Sequence, residues 1–443
     1  MPPLRFPLAS LLPMLLAGTA DLAAQPLTER EARTRGYIAS HAEAAIGLLR
    51  RAVDLGSGTR NLEGVRAVGA LFRAELDALG FTTRWVELPP EMRRAGHLVA
   101  DRRGPRADPA GKRLLLIGHL DTVFDGPGQR FTREDTTARG AGTADMKGGD
   151  VAMLLALQAL HSIGALDEMI LTVVLTGDEE EPGRPLEVTR APLLAAAGRS
   201  DVALAFEGGD AATATISRRG SSSWILTVTG RQAHSSGIFR QGTGYGAVFE
   251  AARILDQLRQ RLAGQPYLTF SPGAIVGGTD VAFDSSATSG TAAGKTNIVA
   301  RTVVVQGDLR VLTEGQKDSA RAVMREVAGQ SLPGTSAAVS FTDGYPGMPP
   351  SDGSRALLAL FDGVSQALGY PAIDALPPDR RGAGDIAFVG HLLPGLDGLG
   401  PSGFGGHSPD EGVYLPSLRM AAERAALLMA RLARIRGAAG PAT

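Results

Sequence analysis

Apolar and polar positions along the chain repeat with two different periods. After the first 24 residues, AAIGLLRRAVDL and GVRAVGALFRAELDALGF space their apolar residues three and four apart. That spacing predicts amphipathic helices, the second stopped at Gly80 as a C-cap would stop it. TTRWVELP, RLLLIGHLD, MILTVVLTGDEE and DVALAFEGG read as strands, and GGDVAMLLALQALHSIGAL as a helix between the second and third. The inner strands are continuously apolar, as strands buried on both faces are. Alternation with helices then predicts an α/β domain with a mostly parallel central sheet.

From about Ser217 the texture changes. SSSWILTVTG alternates as a half-exposed strand does, and YGAVFEAARILDQLRQRLAG is an amphipathic helix. YLTFSPGAIVGG and TNIVARTVVVQGDLRVL read as strands separated by a Gly/Ser/Ala/Thr-rich loop around Ser285 to Gly294. TEGQKDSARAVMREVAG, with Thr313 as cap, is a second helix and SAAVSFTDG a last strand. This β-α-β-β-α-β order makes a compact ferredoxin-like unit with its helices on one sheet face. GYPGMPPSDGS leads out of it, and helical and strand patterns resume up to a C-terminal helix, SLRMAAERAALLMARLARIRG. The organisation expected is a leader at 1–24, one domain from 25–215 and 346–443, and an inserted domain at 216–345. No internal repeat is evident.

Length and composition refine this picture. With 443 residues, 44% of them hydrophobic, the chain can bury two cores. A net charge of -1 gives no general reason to expect nucleic acid or an anionic membrane as partner. The opening MPPLRFPLASLLPMLLAGTADLAAQ has one basic residue, Arg5, an apolar stretch from Phe6 to Gly18 and small residues after it. This is the layout of a secretory signal peptide, so a periplasmic or secreted protein is expected. No other apolar run is long enough to cross a bilayer, so no stable membrane association is expected after cleavage. The chain has no cysteine, which excludes disulfides and leaves any metal to nitrogen and oxygen ligands.

The candidate chemistry lies where strands end. His119 and Asp121 are two apart, and on a strand such residues share a face. A carboxylate that holds one imidazole nitrogen frees the other for a metal. Asp145 stands before Lys147 and two glycines at the start of the long helix, where a helix-capping role is the simpler alternative. Asp178, Glu179, Glu180 and Glu181 crowd the end of another strand, Glu207 ends a third, and His407 sits in a Gly-rich loop. Four adjacent carboxylates repel one another unless cations offset them, although a solvated loop is the common fate of such a run. In an open α/β sheet, ligands gather outside the carboxyl ends of the strands. Two imidazoles and several carboxylates without sulfur suit two zinc ions sharing a bridging carboxylate.

The segments SGTRNLEGV, GHLDTV, ADMKGG, GDEE, AFEGG, GRQAHSSG, KTNIV…GDLR, GAGDIAF and GFGGHS occur in this order over nearly the whole mature chain. In these motifs the sequence resembles the glutamate carboxypeptidase (carboxypeptidase G) branch of the zinc aminoacylase/carboxypeptidase family. The resemblance implies a di-zinc exopeptidase with two Zn2+ per chain. His119 and Glu207 would bind one zinc, Glu180 and His407 the other, with Asp145 bridging. Asp121 would orient His119, and Glu179 would act as general base and acid. It further implies a homodimer built on the inserted domain, with His234 reaching across it to hold the developing oxyanion. Arg310 would grip the substrate's terminal carboxylate, Asn297 would contact substrate, and Gly384 and Asp385 would line the cleft. The extra Glu of GDEEEPG leaves a second register open, with Glu180 as base and Glu181 as ligand. The activity implied is release of a C-terminal amino acid, glutamate above all, from a peptide or N-acyl conjugate. The alternatives are an N-acyl-amino-acid amidohydrolase or a dipeptidase on the same metals, or a binding protein that kept the cleft without the chemistry.

Overall fold

A computed structural model describes residues 26–126 and 129–435; the leader expected at 1–24 lies outside the described residues. Backbone contacts divide the chain into two units. The larger holds the described residues up to Ile216, Pro350–Ala375 and those from Val389 on, and the smaller holds Ser217–Pro349 and Leu376–Phe388. The segment Leu376–Phe388, with Gly384 and Asp385, thus joins the smaller unit although it follows the linker. Among the described residues no helix is long and apolar enough to cross a membrane.

The larger unit is built on a six-stranded sheet in the order Thr82–Val86, His97–Arg103, Ile170–Thr176, Arg113–His119, Val202–Ala205, Gly395–Leu396. The last four run parallel, and the first two are antiparallel additions at one edge. Leu114 to Ile117 are all buried, which accounts for the unbroken apolar run. His97–Arg103 is a strand that the hydrophobic pattern did not reveal, because its three apolar residues are framed by a buried histidine and by charges. Helices Glu29–Asp54, Lys147–Ser162 and Leu415–Ala433 pack on one another. The first opens with a capping box between Thr28 and Glu31.

Register decides where the chemistry emerges. His119 pairs with Thr176 and Ile117 with Ala205. The parallel strands therefore end level, and the segments carrying Asp121, Glu179, Glu180 and Glu207 all leave the sheet at the same edge.

The smaller unit is an antiparallel sheet in the order Thr269–Gly278, Thr302–Val311, Gly220–Gly230, Thr335–Asp343, with helices Gly246–Leu262 and Glu314–Gly329. Trp224, Leu226 and Val228 alternate into a core shared with both helices. The segment expected as a loop, Ser285 to Gly294, instead carries the second strand of a hairpin, Ser289–Ala293, paired with Asp280–Asp284. Its β-branched and aromatic residues are few, and its polar alternation resembles a loop in sequence.

Candidate metal centre

His119 ends its strand almost fully buried. Its Nε2 lies 3.1 Å from Asp145 Oδ1 and 3.8 Å from Glu207 Oε1. Its Nδ1 lies 3.1 Å from the Asp121 carbonyl oxygen and 3.4 Å from Asp121 Oδ1. Across the same carboxylate, His407 Nε2 lies 3.1 Å from Asp145 Oδ2 and 3.2 Å from Glu180 Oε2. Two groups result, His119–Asp145–Glu207 and Asp145–Glu180–His407, each with its ligand atoms within 4.8 Å of one another. Asp145 belongs to both.

Asp121 ties the first group to the acidic turn. It is wholly buried and accepts the Thr59 hydroxyl at 2.6 Å, the Glu179 N–H at 3.0 Å and the Glu180 N–H at 3.1 Å. Burial alone would raise its pKa, but His119 and these donors hold it below the usual carboxylate range. The turn is pinned from below by Asp178, which accepts the Gly183 N–H at 2.8 Å, the Thr189 hydroxyl at 2.6 Å and the Arg190 guanidinium. His97 joins the same scaffold: its Nδ1 accepts the Gly177 N–H at 3.1 Å and its Nε2 meets the Thr189 carbonyl at 2.7 Å.

The turn also distinguishes two neighbouring glutamates. Glu180 stands beside His407, whereas the Glu181 carboxylate is held by Arg60 at 2.8 and 2.9 Å and by Arg94 at 3.0 Å. The geometry therefore gives Glu180 the position that the second register would give Glu181. Glu179 is half-buried between Asp178 and Glu180, its backbone fixed by Asp121.

The donor set suits cations. Burial raises the pKa of Glu180, and its Oε1 is enclosed with no hydrogen-bond partner among the described residues. Hydrogen bonds to Asp145 and Glu180 lift His407 to about 10. For His119, burial opposes protonation, but Asp121 and Asp145 outweigh it and carry its pKa well above the ordinary value. Positive charge is thus demanded at both imidazoles, and divalent cations could supply it with all ligands deprotonated. His407 takes a positive φ of 61° within its Gly-rich loop, a sparsely populated conformation for a non-glycine residue.

Several residues of this centre escaped sequence reasoning. Glu411 is buried and its Oε1 accepts the Ala144 and Asp145 N–H groups at 2.9 and 3.0 Å, fixing the backbone that carries the shared carboxylate. Lys147 and Asp150 are fully buried in the first turn of the helix under the site, with Lys147 Nζ and both Asp150 oxygens unpartnered among the described residues. Burial lowers Lys147 to about 8 and raises Asp150 well above its ordinary value. Gly118 leaves room for Asp150, since a Cβ there would come within 2.0 Å of Asp150 Oδ1. The signal available was a Lys and an Asp at the start of an otherwise apolar helix.

The remaining candidates belong to the smaller unit. His234 is exposed and closes a short turn, its Nδ1 2.9 Å from the Ser236 hydroxyl. Asn297 adjoins it, its carbonyl accepting the Ser235 N–H at 2.9 Å. Arg310 extends from the strand Thr302–Val311, its Nε donating to Asp308 Oδ2 at 2.7 Å. Asp385 is buried, and Gly384 lies against Arg218 so closely that a Cβ would approach the guanidinium carbon within 2.7 Å.

The chain is 28% identical over 391 residues to carboxypeptidase G2 of Pseudomonas sp. (strain RS-16), covering 84% of this chain and 85% of that protein. It is likewise 28% identical over 359 residues to a succinyl-diaminopimelate desuccinylase of Leptothrix cholodnii, covering 77% of this chain and 87% of the relative. Among solved structures, the aminopeptidase PepT of Bacillus cereus superposes with a TM-score of 0.69 at 18% identity, covering 89% of this chain and 99% of that one. The YXEP protein of Bacillus subtilis, described as a dinuclear metal binding peptidase, superposes with a TM-score of 0.61 at 13% identity, covering 89% of this chain and 99% of that one. Residues 115–431 match peptidase family M20/M25/M40, so the chain belongs to that family and is a metallopeptidase-type hydrolase of peptide or amide bonds.

Proposed function

We propose that the protein removes a C-terminal amino acid, glutamate above all, from a peptide or N-acyl conjugate, using two divalent cations, zinc in the first instance. The observation that carries this reading is the Asp145 carboxylate shared by two groups, each with one imidazole and one glutamate, the two imidazoles standing at its opposite oxygens. His119, Asp145 and Glu207 would hold one cation, and Asp145, Glu180 and His407 the other. The same ligands also accept cobalt or manganese. When bound, such cations lower the pKa of a water and polarise a carbonyl.

The protein's own groups do the rest. Glu179 takes the proton of the attacking water on its carboxylate and returns it to the leaving amine nitrogen. Asp121 fixes the His119 ring and the turn that presents Glu179. His234 donates to the developing oxyanion, from the partner subunit of a homodimer. Arg310 presents its guanidinium edge to the substrate's terminal carboxylate, with Asn297, Gly384 and Asp385 beside the substrate. The leader would direct the protein to the periplasm or outside the cell.

Metal content per chain, measured alongside hydrolysis of a panel of N-acyl and peptidyl amino acids, tests the reading. Full metal with unchanged turnover in Glu179→Gln would remove this mechanism. Arg310→Ala should raise KM sharply for substrates with a free carboxylate and little for their amides; equal effects would count against a carboxypeptidase. The likeness to a desuccinylase favours a second reading, an N-acyl-amino-acid amidohydrolase on the same centre, and the same panel separates the two.

A further inference from the structure

On the sheet of the smaller unit, Arg310 stands opposite Thr269 on one side and Ser221 on the other. Directly opposed residues carry their side chains on the same face, with Cβ atoms about 5 Å apart. The exposed Thr269 hydroxyl therefore lies beside the Arg310 side chain. That hydroxyl accepts Arg219 Nη1 at 3.1 Å. Two guanidinium groups thus flank one threonine.

Their counter-ions differ. Arg310 Nε is engaged by Asp308 Oδ2 at 2.7 Å, which orients its two Nη groups away from that contact. Arg219 has no carboxylate partner among the described residues. It is half-buried, its bond to Thr269 is to a neutral acceptor, and its Nε is enclosed without any acceptor among the described residues. A partly desolvated cation with no counter-ion is unfavourable on its own and favours an incoming anion. One substrate carboxylate would be served by Arg310 alone. A second cation on the same sheet face has a use when the substrate brings a second carboxylate.

We infer that Arg219 is a specificity residue that receives the side-chain carboxylate of a dicarboxylic C-terminal residue. The inference rests on Arg310 holding the neighbouring α-carboxylate, as in the proposed function. It adds a physical reason for preferring glutamate to glutamine, since the neutral amide forgoes a charge-assisted hydrogen bond.

The test compares N-benzoyl-glutamate with N-benzoyl-glutamine in the full chain. Arg219→Ala should lower the ratio of kcat/KM for glutamate over glutamine at least tenfold, through KM, with Arg219→Lys recovering part of it. Arg310→Ala should depress both substrates together. A ratio unchanged in Arg219→Ala overturns the inference, whether the individual rates hold or fall together, and makes Arg219 a support for the Thr269 strand. If the wild-type chain cleaves neither conjugate, the proposed function fails, and calorimetry with glutarate and butyrate decides the inference. Glutarate binding tighter than butyrate binding, with that advantage lost in Arg219→Ala, sustains it. Equal binding, no binding, or an advantage kept by the variant ends it.

Discussion

Asp121 accepts the backbone N–H of Glu180 at 3.1 Å while its other oxygen stands 3.4 Å from the ring of His119. One buried carboxylate thereby sets the position of a residue in each of the two ligand groups. Thr59, 62 residues earlier in the chain, donates its hydroxyl to the same carboxylate at 2.6 Å and leaves it little freedom to turn.

Asp121→Asn should retain the fold and loosen the centre, because the amide nitrogen that replaces one carboxylate oxygen cannot accept the backbone N–H which that oxygen holds. Outer partners of this kind are worth roughly 10- to 100-fold in metal affinity or activity. Zinc titration with a competing chelator, read beside kcat, should show both falling. Unchanged affinity at both positions would mean that the ligands hold themselves.

Glu180 and Glu181 should separate cleanly. Glu180→Gln should lower the bound metal from two equivalents to about one, whereas Glu181→Gln should keep both and lose only its contacts to Arg60 and Arg94. Elemental analysis after dialysis against a fixed zinc concentration distinguishes them. Loss of metal from Glu181→Gln alone would restore the second register.

Much of this centre was legible in the sequence because its parts are local. A strand's alternation places His119 beside Asp121, and level parallel strands bring 119–121, 178–181 and 207 to one edge. The order of the smaller unit's four sheet strands and two helices was equally legible, being separated by clear turns, but its hairpin was not. What could not be read depends on long-range placement. Glu411 reaches Asp145 across 266 positions, and nothing in its neighbourhood distinguishes it from Asp410. The choice between Glu180 and Glu181 is made by Arg60 and Arg94, residues with no local signature of that role. His97–Arg103 was missed because its buried histidine bonds to Gly177 and Thr189, partners that exist only in the folded sheet.

The Asp178–Arg190 pair should matter more to stability than its surface counterparts. Both side chains are fully buried. Removing one partner of such a pair strands the other charge and costs about 3–5 kcal/mol. Arg190→Met should lower the urea midpoint accordingly, and Arg190→Met with Asp178→Leu should recover part of the loss. Arg66→Met, which breaks an exposed pair with Glu87, should shift it by less than about 1 kcal/mol. Equal shifts from Arg190→Met and Arg66→Met would show that the buried turn relaxes around the lost charge.

Acid should unlock the first helix from the last. Arg431 Nε donates to Glu31 Oε1 at 2.9 Å with both side chains buried. Burial alone would raise the Glu31 pKa, but Arg431 and the Thr28 N–H outweigh it and hold the carboxyl below its ordinary 4.5. A group whose pKa is lower folded than unfolded binds fewer protons in the native state. Its stabilisation is therefore complete above the unfolded value and declines as pH falls below about 4.5 toward the folded value. Glu31→Gln removes this titration and retains a hydrogen-bonding group at Thr28. Urea midpoints of the two proteins from pH 7 to pH 3 should differ most at neutrality, with the wild type more stable, and converge in acid. A constant difference across that range would place the acid sensitivity elsewhere and leave the Glu31–Arg431 contact as packing alone.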